Sequence, residues 1–290
     1  MIPAQFDYVR PAAMHEALQI LVDREGDAKI LSGGYSLLPL LKLRLAAPAL
    51  LVDIRDIDGL DDIVETTDGL RIGGRATHRQ IHENPVVAGY PMLVDAAGGI
   101  GDPQVRNWGT IGGSCAHADP SSDWPAVLLA TNATIVLQSA AGTRTVPARG
   151  FFVDTFQTAI EPTELLTEVI IPRAPRPSGA AYAKLERRAG DFATVGVAAQ
   201  ISLGTDGRIA AAGIGLTAVA EAPFEATGAE AALVGQEPIE ATFPAAGIAA
   251  AAESRPGTDS HGPVEYKRAM VKEMVVRALR IAAARAQAQR

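Results

Sequence analysis

The chain has 290 residues, 48% of them apolar, with a formal net charge of −7 and a pI near 5.3. That is enough to bury a large core and to build two domains, and the acidic balance argues against a nucleic-acid binder, which carries a basic footprint. The single cysteine, Cys115, excludes an internal disulfide and leaves too few thiols for an iron–sulfur cluster or a structural zinc on this chain.

The opening residues show no basic segment followed by an apolar one, and no apolar stretch reaches the roughly 20 residues of a membrane span, so a cytoplasmic chain is expected. Met14, Ala17, Leu18, Leu21 and Val22 form one face of an amphipathic helix that Gly26 stops. Ala28–Leu31 reads as a short strand, 37–43 as a helical turn and 50–54 as a strand. A hairpin is expected over 63–73, turning at Asp68-Gly69. Helices follow over 77–82 and 91–97, then a glycine-rich stretch over 98–113 that holds the second loop. Residues 124–131 read as a helix, and 133–138 and 165–171 as strands.

Three prolines in the eight residues from Pro172 to Gly179 mark a linker. Beyond it, 180–185, 195–203 and 208–216 read as strands, with a tight turn at Asp206-Gly207. Helices follow over 228–234, 244–252 and 266–286. The fold class is α+β: glycine loops thread the first half, and the second half is a small antiparallel sheet with its helices segregated after it.

Two glycine motifs carry the chemistry. In Ser32-Gly33-Gly34-Tyr35-Ser36 a strand delivers two glycines to a helical turn. Such a segment lets the backbone approach a ligand and can aim its amides at an anion. Asn107-Trp108-Gly109-Thr110-Ile111-Gly112-Gly113-Ser114-Cys115-Ala116 repeats that logic, with Thr110 and Ser114 as hydroxyl donors. Neither motif is a dinucleotide fingerprint or a P-loop. A lone Gly-Gly pair is more often a tight turn than a phosphate cradle, so spacing alone gives no more than an anion site.

Other candidates are weaker. His117 beside Asp119 lacks a nucleophile motif. His78 and His82, at i and i+4, lack the acidic residue between them that a zinc helix uses and read as a solvated face. His261 reads as loop, Asp61-Asp62 as a turn, and Cys115 as a small buried filler. Trp108 suits a cofactor stack or a core anchor equally. Lys184, Arg187 and Arg188 face either a cofactor, a partner or solvent.

The segments Ser32–Pro39 and Gly109–Asp123, with Phe6-Asp7-Tyr8, Gly74–Thr77, Glu164–Pro172 and Arg187–Ala193, resemble the FAD-binding medium subunits of the carbon monoxide dehydrogenase and xanthine dehydrogenase family, over almost the whole chain. The resemblance implies a two-part FAD-binding domain of the vanillyl-alcohol-oxidase type over 1–176 and a smaller α+β domain over 177–290. It implies that Lys29, Leu31, Ser32, Gly33, Gly34, Tyr35, Ser36 and Leu37, with Thr110, Ile111, Gly112, Gly113 and Ser114, hold the diphosphate and ribityl regions of FAD. Ala76, Ala116 and His117 complete that part. Asp123 lies where the family anchors FAD with an acid. Ile100 and Phe192 lie at positions near the flavin ring, and Leu166 and Lys184 near positions that contact the cofactor. Ser32 stands where Ala is usual, and Tyr35 where His or Gln is common.

No catalytic side chain and no metal site are expected, because the flavin carries the redox chemistry. The resemblance further implies a molybdopterin-binding large subunit and a [2Fe–2S] small subunit as partners, in a dimer of heterotrimers. Electrons would pass through this chain to a small-molecule or carrier acceptor. A self-sufficient FAD-dependent oxidase, a non-redox FAD-binding module and an enzyme of another class that merely shares a glycine loop are the alternatives. The substrate is not legible in this chain.

Overall fold

The computed structural model describes residues 2–289. The chain opens with β1 (Asp7–Val9), α1 (Met14–Asp23), β2 (Ala28–Leu31), α2 (Leu37–Leu43) and β3 (Leu50–Asp53). β1 and β2 flank β3, both parallel to it. Ala17, Leu18 and Leu21 of α1 bury against Leu50, Val52 and Ile54, whereas Val22, at the edge of the expected apolar face, is exposed.

A second unit follows. β4 (Ile63–Glu65) and β5 (Gly69–Gly73) form the expected hairpin. Then come α3 (His78–Glu83), α4 (Pro91–Gly99), α5 (Pro103–Trp108), α6 (Ile111–His117) and α7 (Asp123–Ala130). β6 (Thr134–Ser139), β7 (Gly142–Pro147), α8 (Ala148–Phe151), β8 (Phe152–Asp154), β9 (Gln157–Thr158) and β10 (Leu165–Pro172) complete it. The order β4-β5-β10-β6-β7 makes an antiparallel five-stranded sheet. The two-part form of the first domain is thus present, one part with a parallel sheet and one with an antiparallel sheet.

The second domain holds β11 (Ser178–Leu185), β12 (Val195–Leu203), β13 (Ile209–Thr217) and β14 (Phe224–Glu225), antiparallel in that order. α9 (Thr227–Leu233), α10 (Phe243–Glu253) and α11 (Val264–Gln287) follow. The sheet has two buried faces. Ala181, Ala183, Val197 and Ala199 point into the core built with α10 and α11, while Tyr182 and Ala198, one residue out of phase, join the core of the first domain. α7 lies there, buried at every residue. It packs so closely that a Cβ at Gly213 or Gly215 of β13 would collide with the carbonyl oxygens of Ala130 and Ala126.

The glycine-rich stretch 98–113 also holds α5 and the start of α6. Asp102 caps α5 by accepting the Val105 N–H, and Pro103 takes the first helical position, where no amide is needed. Thr110 caps α6 in the same way through the Gly113 N–H. Capping chemistry outweighs the low helix propensity of Gly112 and Gly113.

Candidate cofactor site

β2 ends at Ser32, and Gly33 and Gly34 both take positive φ, 76° and 91°. The chain bends sharply there, and α2 begins one residue after Ser36. Among the described residues no acceptor reaches the main-chain N–H of Gly33, Tyr35, Ser36 or Leu37, and the Ser36 hydroxyl makes no cap bond. Five donors are therefore free within five residues. Lys29, exposed on β2, has no ion-pair partner among the described residues. A diphosphate supplies the acceptors and the negative charge that such a segment lacks.

The second motif lies directly against the first. Ser32 Oγ and Thr110 Oγ1 are 2.9 Å apart, and a Cβ on Gly33 would collide with the Trp108 carbonyl. Its amides are already engaged, however. Ile111 N–H donates to the Ala76 carbonyl at 3.0 Å, Gly112 N–H to Gly74 at 2.8 Å, and Gly113 N–H to Thr110 Oγ1 at 3.0 Å. The expectation that both motifs offer main-chain donors holds for one only. Gly112 serves close packing, since a Cβ there would sit 2.5 Å from the Gly74 oxygen.

α5 carries the chain away from this end; its six residues span about 9 Å. At its far side a second cluster forms. Lys184 Nζ donates to the Gly99 carbonyl and to Asp123 Oδ2, both at 3.2 Å. Tyr182 Oη donates to Asp123 Oδ1 at 2.5 Å. Burial pushes the Asp123 carboxyl up, and the Lys184 charge and the Tyr182 hydrogen bond hold it down. Arg106 donates to the carbonyls of Ile100 and Gly101. A Cβ on Gly190 would lie 3.0 Å from the Gly101 oxygen, so the turn 187–192 sits over that segment. Phe192, 55% exposed, presents a bare ring beside it. Ser114 Oγ and Ser122 Oγ, 2.6 Å apart, link the two ends.

The chain matches the FAD binding domain in molybdopterin dehydrogenase over residues 4–174. It matches the CO dehydrogenase flavoprotein C-terminal domain over residues 180–282. The chain belongs to this family. It is 41% identical to the carbon monoxide dehydrogenase medium chain of Hydrogenophaga pseudoflava, covering 98% of this chain and 99% of that one. It is 38% identical to the 6-hydroxypseudooxynicotine dehydrogenase complex subunit alpha of Paenarthrobacter nicotinovorans, over 96% of this chain and 95% of that one. A solved structure of the Hydrogenophaga pseudoflava carbon monoxide dehydrogenase lacking the Mo-pyranopterin moiety of its cofactor superposes with a TM-score of 0.95 at 43% identity. It covers 98% of this chain and 99% of that one. The chain is an FAD-binding oxidoreductase subunit, and the free donors of the first motif fit that cofactor.

The remaining family positions fall into three groups. Ala76, Ile111 and Leu166 have buried side chains within the core. They can meet a ligand only through main chain, and the Ala76 carbonyl is already occupied by Ile111. Ala116 is exposed on α6. His117 is half-buried against Phe156, ring centroids 5.0 Å apart; burial lowers its pKa, with Asp119 opposing and Lys29 reinforcing. Both oxygens of Asp123 are taken by residues of the second domain, so its carboxylate acts first as a tie between domains.

Several side candidates resolve. His78 is not on a solvated face: it is 4% exposed and accepts the Trp124 Nε1–H at Nδ1, 3.0 Å. Burial, aided by Arg106, depresses its pKa to about 3. Cys115 is buried, and its thiol is pushed far up. Trp108 is 52% exposed under the Arg55 guanidinium and is no core anchor. No cluster of metal-ligating side chains occurs among the described residues. Sequence reasoning missed Tyr182 and Glu186, although strand alternation places both on the face of Lys184.

Proposed function

We propose that this chain takes electrons from the [2Fe–2S] clusters of a small subunit and passes them to an external acceptor, within a cytoplasmic molybdenum hydroxylase whose large subunit holds molybdopterin. The observation that carries this reading is a donor-rich FAD cradle on a chain that aligns end to end with medium chains. When bound, FAD supplies redox chemistry that couples two-electron and one-electron partners. The chain holds it: the first glycine motif receives the diphosphate, Thr110 and Ser114 face the ribityl region, and Lys184, Ile100 and Phe192 border the ring.

We place the boundary between the first and second domains at 176/177, between the stretches that the two family models match. No helix among the described residues is long and apolar enough to cross a membrane. The assembly is a dimer of heterotrimers. The test is co-expression with neighbouring genes, affinity purification through this chain, and metal and flavin analysis. Recovery with iron, molybdenum and one FAD per chain is expected. Recovery of this chain alone with full substrate turnover would overturn the subunit reading.

A further inference from the structure

Glu186 follows β11 directly and shares a face with Tyr182 and Lys184. Its Oε2 lies 3.5 Å from Lys184 Nζ, is buried, and accepts no hydrogen bond. Its other oxygen is not buried and also has no donor among the described residues. Lys184 does not satisfy this carboxylate, because its stronger contacts are to Asp123 and the Gly99 carbonyl. A carboxylate so placed, with one oxygen enclosed, costs free energy until a donor arrives.

We propose that Glu186 is the acceptor for the imide N–H of the flavin ring. The pyrimidine edge of that ring presents one N–H between two carbonyl oxygens. A carboxylate beside an ammonium offers the complementary pattern: Glu186 takes the N–H, and the third proton of Lys184 points to the neighbouring carbonyl. The pair reads the ring by hydrogen bonding, while Phe192 supplies apolar contact. This assignment rests on placing the ring at Lys184 and Phe192.

The test compares FAD with 3-methyl-FAD, in which the imide proton is replaced by methyl, bound to the full apo-chain and followed by flavin fluorescence and absorbance. Wild type is expected to bind 3-methyl-FAD at least about tenfold more weakly than FAD, the scale of one hydrogen bond to a charged group. Glu186→Ala is expected to bind the two within about threefold, having lost the acceptor and gained room for the methyl. Glu186→Gln, which still accepts through its amide oxygen, keeps the discrimination. Equal binding by wild type, or undiminished discrimination in Glu186→Ala, would overturn the proposal while leaving the FAD site standing. Failure of wild type to bind either flavin would overturn the placement itself.

Discussion

The two glycine motifs look alike in sequence and do opposite work. Ser32–Leu37 leaves main-chain donors free, so it gains its partners only when a ligand arrives. Thr110–Ser114 spends its donors inside the protein, on Ala76, Gly74 and its own cap. The first motif is a donor-rich segment, and the second packs against it. Glycine is needed in both: left-handed backbone at Gly33 and Gly34, with close backbone contact at Gly33 against the Trp108 carbonyl, and close backbone contact at Gly112 against Gly74.

The strongest way to break this contrast is a matched pair of substitutions. Gly112→Val forces a branched side chain against the Gly74 carbonyl in a buried place. It is expected to destabilise the apo-chain by about 3 kcal/mol or more, an overpacking cost without room to relax. Ser36→Ala removes one free donor of the first motif, a hydroxyl that makes no cap bond within the chain. It is expected to leave the stability of the apo-chain unchanged and to weaken FAD binding by about tenfold, the scale of one hydrogen bond to a charged group. Denaturant unfolding of the apo-chains and FAD titration check both. Equal stability losses with equal affinity losses would erase the distinction.

The contrast also shows what sequence pattern can carry. Strand 195–203 and helix 37–43 match the expected limits, because alternation in the one and a leucine-rich run in the other are local signals. The bend of the first motif was legible for the same reason: two adjacent glycines take positive φ. α6 was not legible as a helix, since its start depends on the Thr110 side chain closing on Gly113. Nor was the role of α7 legible. An all-buried helix needs two covering layers, and the second is β13, some ninety residues away, with Gly213 and Gly215 left bare to receive it. His78 failed similarly. Its spacing to His82 suggested a shared face, but Trp124, distant in sequence, draws it inward.

A second contrast lies within the site, between a ligand contact and a tie between domains. The resemblance implies that Asp123 anchors the cofactor, yet Tyr182 and Lys184 of the second domain use both its oxygens. Asp123→Ala is expected to cost about 3 kcal/mol of stability, because Lys184, with a side chain 9% exposed, loses its main counter-charge. A double substitution with Lys184→Met is expected to recover part of that loss, since no buried charge is then left over. Additive losses in thermal or denaturant unfolding would mean that Asp123 and Lys184 act separately.

The smallest expected effect sharpens the difference between the free donors of the site and the satisfied groups of the core beneath it. His78 sits behind the second motif, donating its main-chain N–H to the Gly109 carbonyl. The Trp124 indole N–H points at Nδ1, so the ring is neutral with its proton on Nε2. Burial holds its pKa near 3, against an ordinary value of 6.5. The unfolded chain therefore binds a proton that the folded chain refuses throughout the window between those values. Stability that His78 confers is complete above pH 6.5 and drains away as pH falls towards 3. His78→Gln keeps an acceptor for Trp124 but cannot titrate. At pH 7.5 the variant is expected to lie about 1 kcal/mol below wild type, the scale of one imperfectly replaced hydrogen bond. Between pH 6.5 and 4.5 the wild-type melting temperature is expected to fall more steeply than that of the variant, closing the gap. Parallel pH profiles would show that His78 is not protonated on unfolding in this range, and that the acid sensitivity of the chain resides in its carboxylates.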